Sequence, residues 1–332
     1  MMRSMKTQAS LNRRLSVAPM MEWTTRDYRY FMRLLTRHTL LYTEMVTAAA
    51  VVHGDRERLL GFNPEEGPIA VQLGGSAPKF LAQAARYCED FGYDEINLNV
   101  GCPSERVQSG SFGACLMAEP QLVAECVAAM QAEVKIPVTV KTRIGIDDQD
   151  SYDFLATFID TVAATGCEHF IIHARKAILK GLSPRENRDI PPLIYDRAYQ
   201  VKRDFPQLDI SINGGIQTLT DAQEHLQQLD GVMIGRAAYH HPWRFSEADE
   251  IIFGEPRPNT AQSAHEVVEA FLPYVETRFA QGTHPKHVLR HIFNIFQGVP
   301  GARAFRRHLS THAHLHDATP QVLLDALALV PR

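Results

Sequence analysis

The stretch EINLNVGCPSERVQSGSFGACLMAEPQLVAECVAAMQAEVKIPVTVKT, residues 95–142, contains one full repeat of the fold. Glu95–Asn99 is a short β-rich run, and a long loop, Gly101–Met117, follows it. Pro120 opens a helical stretch to Glu133, and Val138–Thr142 is the next β-rich run. Strand, crossover helix and strand make a βαβ unit with parallel strands. Working outward, the alternation recurs. Upstream lie Leu15–Pro19, Leu40–Glu44 and Ile69–Leu73; downstream lie His169–His173, Ile210–Asn213 and Gly231–Gly235. Helical patterns fill the gaps. Lys79–Phe91 places Phe80, Leu81, Ala84, Ala85 and Cys88 on one face, and Tyr152–Ala164 repeats apolar residues at three-to-four spacing. The β-rich runs read as near-continuously apolar, as strands buried on both faces should be. Eight such units over residues 15–253 predict an α/β fold, a closed (β/α)8 TIM barrel. An open doubly wound sheet is the alternative. The count of eight and the lack of GxGxxG after the first run speak against it.

The pattern changes after Phe253. GEPRPNTAQ is a polar, turn-rich linker. Beyond it Ala264–Gln281, Pro285–Gln297, Gly301–His312 and Pro320–Val330 read as helices, giving a small helical domain over residues 264–332. Residues 1–14 read as a flexible, basic N-terminus with no apolar core of a signal peptide. Hydrophobic residues make up 45% and charged residues 22% of the 332, ordinary for a soluble protein. The net charge of -4 means that any nucleic-acid surface must be local. Five cysteines without a CxxC argue against a disulfide framework or zinc knuckle and fit a reducing compartment. No apolar stretch reaches membrane-spanning length. The expectation is a cytoplasmic protein, monomeric, needing no protein partner.

In such a barrel, catalytic groups come from the carboxyl ends of the strands and the loops behind them. Seven of the eight rims carry polar or glycine-rich residues. They are Pro19-Met20-Met21, Gln72 to Gly75, Asn97 to Ser104, Lys141-Thr142-Arg143, His173-Ala174-Arg175, Asn213-Gly214-Gly215 and Gly235-Arg236. Taken singly, Asn213-Gly214-Gly215 is a turn and Gly235-Arg236 a helix start with a solvated arginine. Together they occupy the two loops where these barrels bind phosphate. Glycines there let backbone amides approach the anion, and a helix N-terminus adds its dipole. A cofactor with one phosphate is implied, and FMN is the natural candidate. Lys141 either snorkels to the rim or puts positive charge near the flavin's pyrimidine ring. Cys102 sits between Gly and Pro in a long loop, which is no core position. An ordinary thiol keeps its proton near pH 7, which suits a general acid; a nucleophile would need a helper group. Gly110 and Gly113 could let the loop close over a substrate. The other four cysteines, Cys88, Cys115, Cys126 and Cys167, read as structural.

APM at Ala18–Met20, QL at Gln72–Leu73, NLNVGCPS at Asn97–Ser104, VKTRIG at Val140–Gly145, HAR at His173–Arg175, NGGI at Asn213–Ile216 and GR at Gly235–Arg236 occur in order. Together they resemble the tRNA-dihydrouridine synthases over nearly the whole chain. ARKAILKGLSPRENRDIPPL, Ala174–Leu193, resembles the bacterial A subgroup, which acts at positions 20 and 20a of the tRNA D-loop. The resemblance implies that FMN contacts Pro19, Met20, Met21, Gln72, Lys141, His173, Asn213, Gly214, Gly215, Gly235 and Arg236. It implies that NADPH reduces the flavin and leaves, that hydride passes to C6 of a uracil, that Cys102 protonates C5, and that Asn99 helps hold the base.

No acidic residue lies between Glu276 and Asp317, while Arg278, Lys286, Arg290, Arg303, Arg306, Arg307 and seven histidines do. A charge run is usually a solvated face, but a one-signed run in an acidic protein points to RNA phosphates. Arg175, Lys176, Lys180, Arg185 and Arg188 add charge at the barrel mouth, with Arg175, Arg185 and Arg188 expected to meet tRNA. A uracil of folded tRNA must be flipped out to reach such a site. His312-x-His314-x-His316 has the residue type of a metal site but no carboxylate or cysteine partner, so no metal is expected. Two rivals remain. An FMN-dependent dehydrogenase of a small pyrimidine explains the rims without the basic helices. A non-enzymatic RNA-binding protein explains the helices without the rims.

Overall fold

The computed structural model describes residues 11–104, 107, 110–315 and 318–332. Eight parallel strands close into a barrel in sequence order. They are β1 (Leu15–Val17), β2 (Leu40–Thr47), β3 (Ile69–Gly74), β4 (Glu95–Val100), β5 (Val138–Arg143), β6 (His169–His173), β7 (Asp209–Asn213) and β8 (Gly231–Ile234). β1 pairs with β8 through Val17 and Ile234, which seals the ring. The helices between strands pack on its outside. Helix Pro78–Phe91 starts on a proline and stops at Gly92, whose φ of 94° only glycine adopts readily. It buries Leu81, Ala84, Ala85 and Cys88, but Phe80 faces outward at 36% exposure, against the sequence reading. Helices Pro120–Gln131 and Tyr152–Ala163 follow, the latter capped by Ser151 Oγ, which accepts from Phe154 N.

Strand chemistry differs from the expectation in one respect that matters for the site. The outward residues of β3 to β5 are apolar: Ile69, Val71, Leu73, Ile96, Leu98, Val100, Val138 and Val140 belong to the main core. The residues between them are mostly polar and face the bore. Glu95, Asn97 and Asn99 alternate with Ile96 and Leu98, and Thr139 and Lys141 flank Val140. The strands therefore alternate with period two rather than running apolar throughout. Ala18, Leu40, Tyr42, Ala70, Ile171 and Met233 form a separate apolar cluster.

Residues 11–14 are a second correction. They lie in what reads as a flexible N-terminus, yet Arg13 Nε donates to Glu95 Oε2 at 2.6 Å and Val232 N donates to Arg14 O at 3.0 Å. Arg13 thus sits against the amino end of the bore, bound to a fully buried carboxylate. The rest of that N-terminal expectation, residues 1–10, lies outside the described residues.

After the barrel come helices Ala264–Ala280, Pro285–Leu289, Ala302–His312 and Gln321–Leu327. The helix expected over residues 285–297 ends at Leu289, tightens into a 3-10 turn at Arg290–Ile292 and continues as turns. This path buries Val288, Leu289, Ile292, Ile295 and Phe296, so packing overrides propensity. The helical part packs on helix Arg26–Leu35. Tyr274 and Tyr30 stack with centroids 4.0 Å apart. Asp27 Oδ1 accepts from Tyr274 Oη at 2.7 Å and from Arg278 Nε at 2.8 Å. Among the described residues, no helix is long and apolar enough to cross a membrane.

Candidate active site

The carboxyl ends of the strands bring the expected rim residues together. On β3, β4 and β5 the inward side chains form a column. Glu95 Oε1 accepts from Thr139 Oγ1 at 2.8 Å, and Thr139 Oγ1 accepts from Asn97 Nδ2 at 2.9 Å. Asn97 Oδ1 accepts from Gln72 Nε2 at 2.8 Å, and Gln72 Oε1 accepts from Asn99 Nδ2 at 2.8 Å. Asn99 Oδ1 ends the column by accepting from Gly101 N at 3.1 Å and Cys102 N at 2.9 Å. Asn99 therefore fixes the turn that carries the cysteine. The Cys102 thiol is half-buried, 3.5 Å from Ser104 Oγ, and its carbonyl accepts from Ala114 N at 2.9 Å. Gly113 makes that closure fit: its φ is 78°, and a Cβ there would lie 2.6 Å from Cys102 O and 2.4 Å from Val107 Cγ1. Cys88, Cys126 and Cys167 are buried, and Cys115 Sγ lies 3.2 Å from Phe112 O.

Across the bore, Lys141 Nζ donates to Asn213 Oδ1 at 3.0 Å, and Asn213 Nδ2 donates to Met233 O at 2.7 Å. Burial lowers the Lys141 ammonium to about 7; Arg143 pushes the same way and Cys102 opposes it. His173 stands opposite Asn213 in the β6–β7 register. Burial holds its imidazole well below the usual range, and Arg143, Lys141, Arg175 and Arg188 add to this, so it is neutral near pH 7. His173 Nδ1 is buried without a hydrogen-bond partner among the described residues, and so is Arg175 Nε. Such atoms are costly unless something satisfies them. Gly214 and Gly215 have φ of 111° and 75°. A Cβ on Gly214 would crowd His173 Cε1 at 3.3 Å, and one on Gly215 would meet Leu193 Cδ1 at 2.4 Å. Gly235 borders Ala18 and Met20. The helix after it, Arg236–His240, is only five residues long, so its first amides matter more than any long helix dipole. Beside it Met21 is 59% exposed on the loop after β1. Neutral imidazole, a lysine, an arginine nitrogen and glycine-flanked amides form a donor set suited to a flavin ring and one phosphate.

The loop after β6 is built on two residues to which the sequence reading assigned no role. Arg143, at the end of β5, is buried and donates from Nε to Gly101 O at 2.8 Å. Its NH1 donates to Lys176 O at 3.1 Å and Asn187 O at 3.0 Å. Burial lowers this guanidinium to about 10. Asn187, fully buried, donates to Ile178 O, Leu182 O and Ser183 O and accepts from Ile178 N at 2.7 Å. Their signal in the sequence was position: Arg143 follows Lys141 at the next inward site, and Asn187 closes the GLSPREN segment. Arg185 and Arg188 are exposed on this loop. Arg175 is partly spoken for, because NH1 donates to Pro191 O. Arg236 NH2 donates to Asp189 Oδ1 at 2.7 Å and to Arg188 O at 3.3 Å, so it meets a carboxylate here.

The basic run of the helical part is thinner than its sequence. Arg278 is tied to Asp27. His291 is buried, with its pKa held down to about 3 by burial and by Arg290 and His287. Its Nε2 lies 2.8 Å from Thr25 Oγ1 and its Nδ1 3.3 Å from Tyr239 Oη. Tyr239, on the helix after β8, stacks on Trp23 with centroids 4.4 Å apart, while the His291–Thr25 contact joins the helical part to the end of the loop after β1. Lys286, Arg303 and Arg307 are exposed, and Arg290 and Arg306 are half-buried. Among the described residues no group of His, Cys, Asp and Glu could hold a metal ion; His316 lies outside them.

A family model described as Dihydrouridine synthase (Dus) matches residues 16–330. A Vibrio cholerae protein named tRNA-dihydrouridine(20/20a) synthase is 60% identical over 319 residues, 96% of this chain and 97% of its own. An Escherichia coli K12 protein of the same name is 59% identical over 326 residues, 98% of this chain and 94% of its own. Among solved structures, a 2-naphthoyl-CoA reductase complex aligns with a TM-score of 0.56 at 11% identity, over 73% of this chain and 50% of that one. An old yellow enzyme homologue from Zymomonas mobilis aligns at 0.52 and 12% identity, over 74% of this chain and 89% of that one. At such identities these two bear on the barrel fold alone.

Proposed function

The chain belongs to the dihydrouridine synthase family, and we propose that it reduces uridine to 5,6-dihydrouridine in the D-loop of tRNA, at positions 20 and 20a. FMN held at the rim and reduced by NADPH would supply the hydride for C6 of the uracil. The residues to hold it are Pro19–Met21, Gln72, Lys141, His173, Asn213–Gly215 and Gly235–Arg236. The buried, unpartnered nitrogens of His173 and Arg175 support that assignment. Cys102 carries the proton for C5, and Asn99 orients the base while anchoring the cysteine's turn. Lys141 offers positive charge where negative charge develops.

The barrel, residues 15–253, carries this chemistry, and residues 264–332 serve tRNA binding. Arg175, Arg185 and Arg188 at the mouth and Lys286, Arg290, Arg303, Arg306 and Arg307 on the helical part meet phosphates, while the target uridine is flipped toward the rim. Within the cell, the reading places the enzyme in the cytoplasm as a monomer. The observation that carries the proposal is the Cys102 thiol, on a turn pinned by Asn99 and clasped by Arg143, beside that rim. The test is a visible spectrum of the purified protein, then turnover with NADPH on tRNA lacking dihydrouridine, mapped by position, with Cys102→Ala in parallel. A yellow protein that acts only on free pyrimidines would replace this reading with the small-pyrimidine one. A colourless protein would remove the flavin assignment.

A further inference from the structure

The hydrogen bonds that climb the bore share one direction. At the upper end are two backbone N–H groups, those of Gly101 and Cys102, which can only donate. They make Asn99 Oδ1 the acceptor, so Asn99 Nδ2 must donate to Gln72 Oε1. Gln72 then presents Nε2 to Asn97 Oδ1, and Asn97 presents Nδ2 to Thr139 Oγ1. At the lower end the Thr139 hydroxyl donates to Glu95, and an ionised carboxylate can only accept. Arg13 Nε at 2.6 Å and Tyr42 Oη at 2.5 Å also donate to that fully buried carboxylate, and Arg13 pairs with it as an ion pair. With donors fixed above and an acceptor fixed below, each amide between has one satisfied orientation. Turning any one over sets two NH2 groups or two carbonyls face to face. Gln72 and Asn99 each keep one amide hydrogen outside the column.

We propose that Glu95, Thr139 and Asn97 are positioning residues: they lock from below the amide edges that Gln72 and Asn99 turn toward flavin and uracil, and through Asn99 they hold the Cys102 backbone. The proposal rests on the functional reading above. None of the three reaches the reacting atoms; Asn97 and Glu95 lie two and four residues below Asn99 on β4. Their effect is transmitted because a buried amide without its partner is worse than no amide at all.

Thr139→Val keeps the shape and removes the hydroxyl, while Thr139→Ser keeps the hydroxyl. In Thr139→Val, hydrogen exchange at the Gly101 and Cys102 amides should quicken roughly tenfold relative to Leu98 and Val140, and turnover on tRNA should fall roughly tenfold. Thr139→Ser should restore both. Exchange and turnover that stay at wild-type values in Thr139→Val overturn the proposal, and so does failure of Thr139→Ser to restore them, since packing would then be the cause. If Thr139→Val does not fold, atomic-resolution or neutron crystallography of the unaltered protein decides. Asn99 Nδ2 facing Gln72 Oε1 is expected, and the reverse overturns the proposal. Exchange and amide orientation need no substrate, so they judge the column separately from the assignment of tRNA, which wild-type turnover judges.

Discussion

Removal of the Lys141 charge should stabilise the flavin-free protein, and by an amount that depends on pH. Folding lowers this ammonium from 10.5 to about 7. Below the folded value the lysine is charged in both states, and the fold bears the whole cost of burying it. That cost is on the order of 5 kcal/mol at pH 6, from ~1.4 kcal/mol per unit of difference. Between the folded and unfolded values the folded lysine is neutral while the unfolded chain still binds the proton, so the cost shrinks as pH rises. At pH 9 it is about 2 kcal/mol. Lys141→Met, similar in length and without charge, removes this term and leaves Asn213 Oδ1 short of a donor, a loss of about 1 kcal/mol at every pH. The stability gained by Lys141→Met over wild type should therefore be larger at pH 6 than at pH 9 by about 3 kcal/mol. Urea unfolding of both flavin-free proteins at the two pH values measures it. A difference between variant and wild type that does not change with pH would refute a discharged lysine in the bore. FMN should reverse the effect, because an anionic ligand recharges Lys141. Calorimetry at pH 8 in buffers of different ionisation enthalpy should then show proton uptake on binding.

Cys102→Ala should lower dihydrouridine formation by roughly 10²–10⁴-fold, while NADPH still bleaches the flavin; equal loss of both steps would assign the thiol to the cofactor rather than to the substrate. Asn187→Ala, which strips four hydrogen bonds from the loop after β6, should cost about 2–3 kcal/mol in urea unfolding and raise KM for tRNA more than it lowers kcat. An unchanged KM would mean that this loop does not meet RNA. Replacing both Arg303 and Arg307 by Gln should flatten the salt dependence of tRNA binding by roughly 1.5 in log–log slope. A slope equal to that of wild type would remove these two arginines from the phosphate contacts.

The barrel was legible because its βα rhythm is local: each run, turn and helix start announces itself within a few residues. The rims were legible for the same reason, since glycines, Cys102 and Lys141 stand out at strand ends. What stayed hidden depends on contacts far apart in the chain. Glu95 looks like one charged residue in a strand; only the closed ring brings Arg13, Tyr42 and Thr139 around it. The alternation in EINLN was there to be read, but the assumption of strands buried on two apolar faces obscured it. Arg143 seemed one more rim cation, and its three carbonyl partners come from two loops, those after β4 and β6. His291 counted as part of a basic run, yet packing against Thr25 and Tyr239 makes it a buried neutral ring. Composition cannot separate a cation that meets solvent from one that is spent inside.

The Arg143 clasp has a mechanical meaning. One guanidinium ties the carbonyl just before Cys102 to two points of the loop that carries Arg185 and Arg188, Lys176 near its start and Asn187 between the two arginines. The proposed proton donor and the expected grip on the RNA backbone are thus bolted to a common frame, and a load taken up by that grip would be borne at the cysteine's turn as well. An RNA seated off register would strain this frame, so recognition of the folded substrate and alignment of the thiol become a single adjustment.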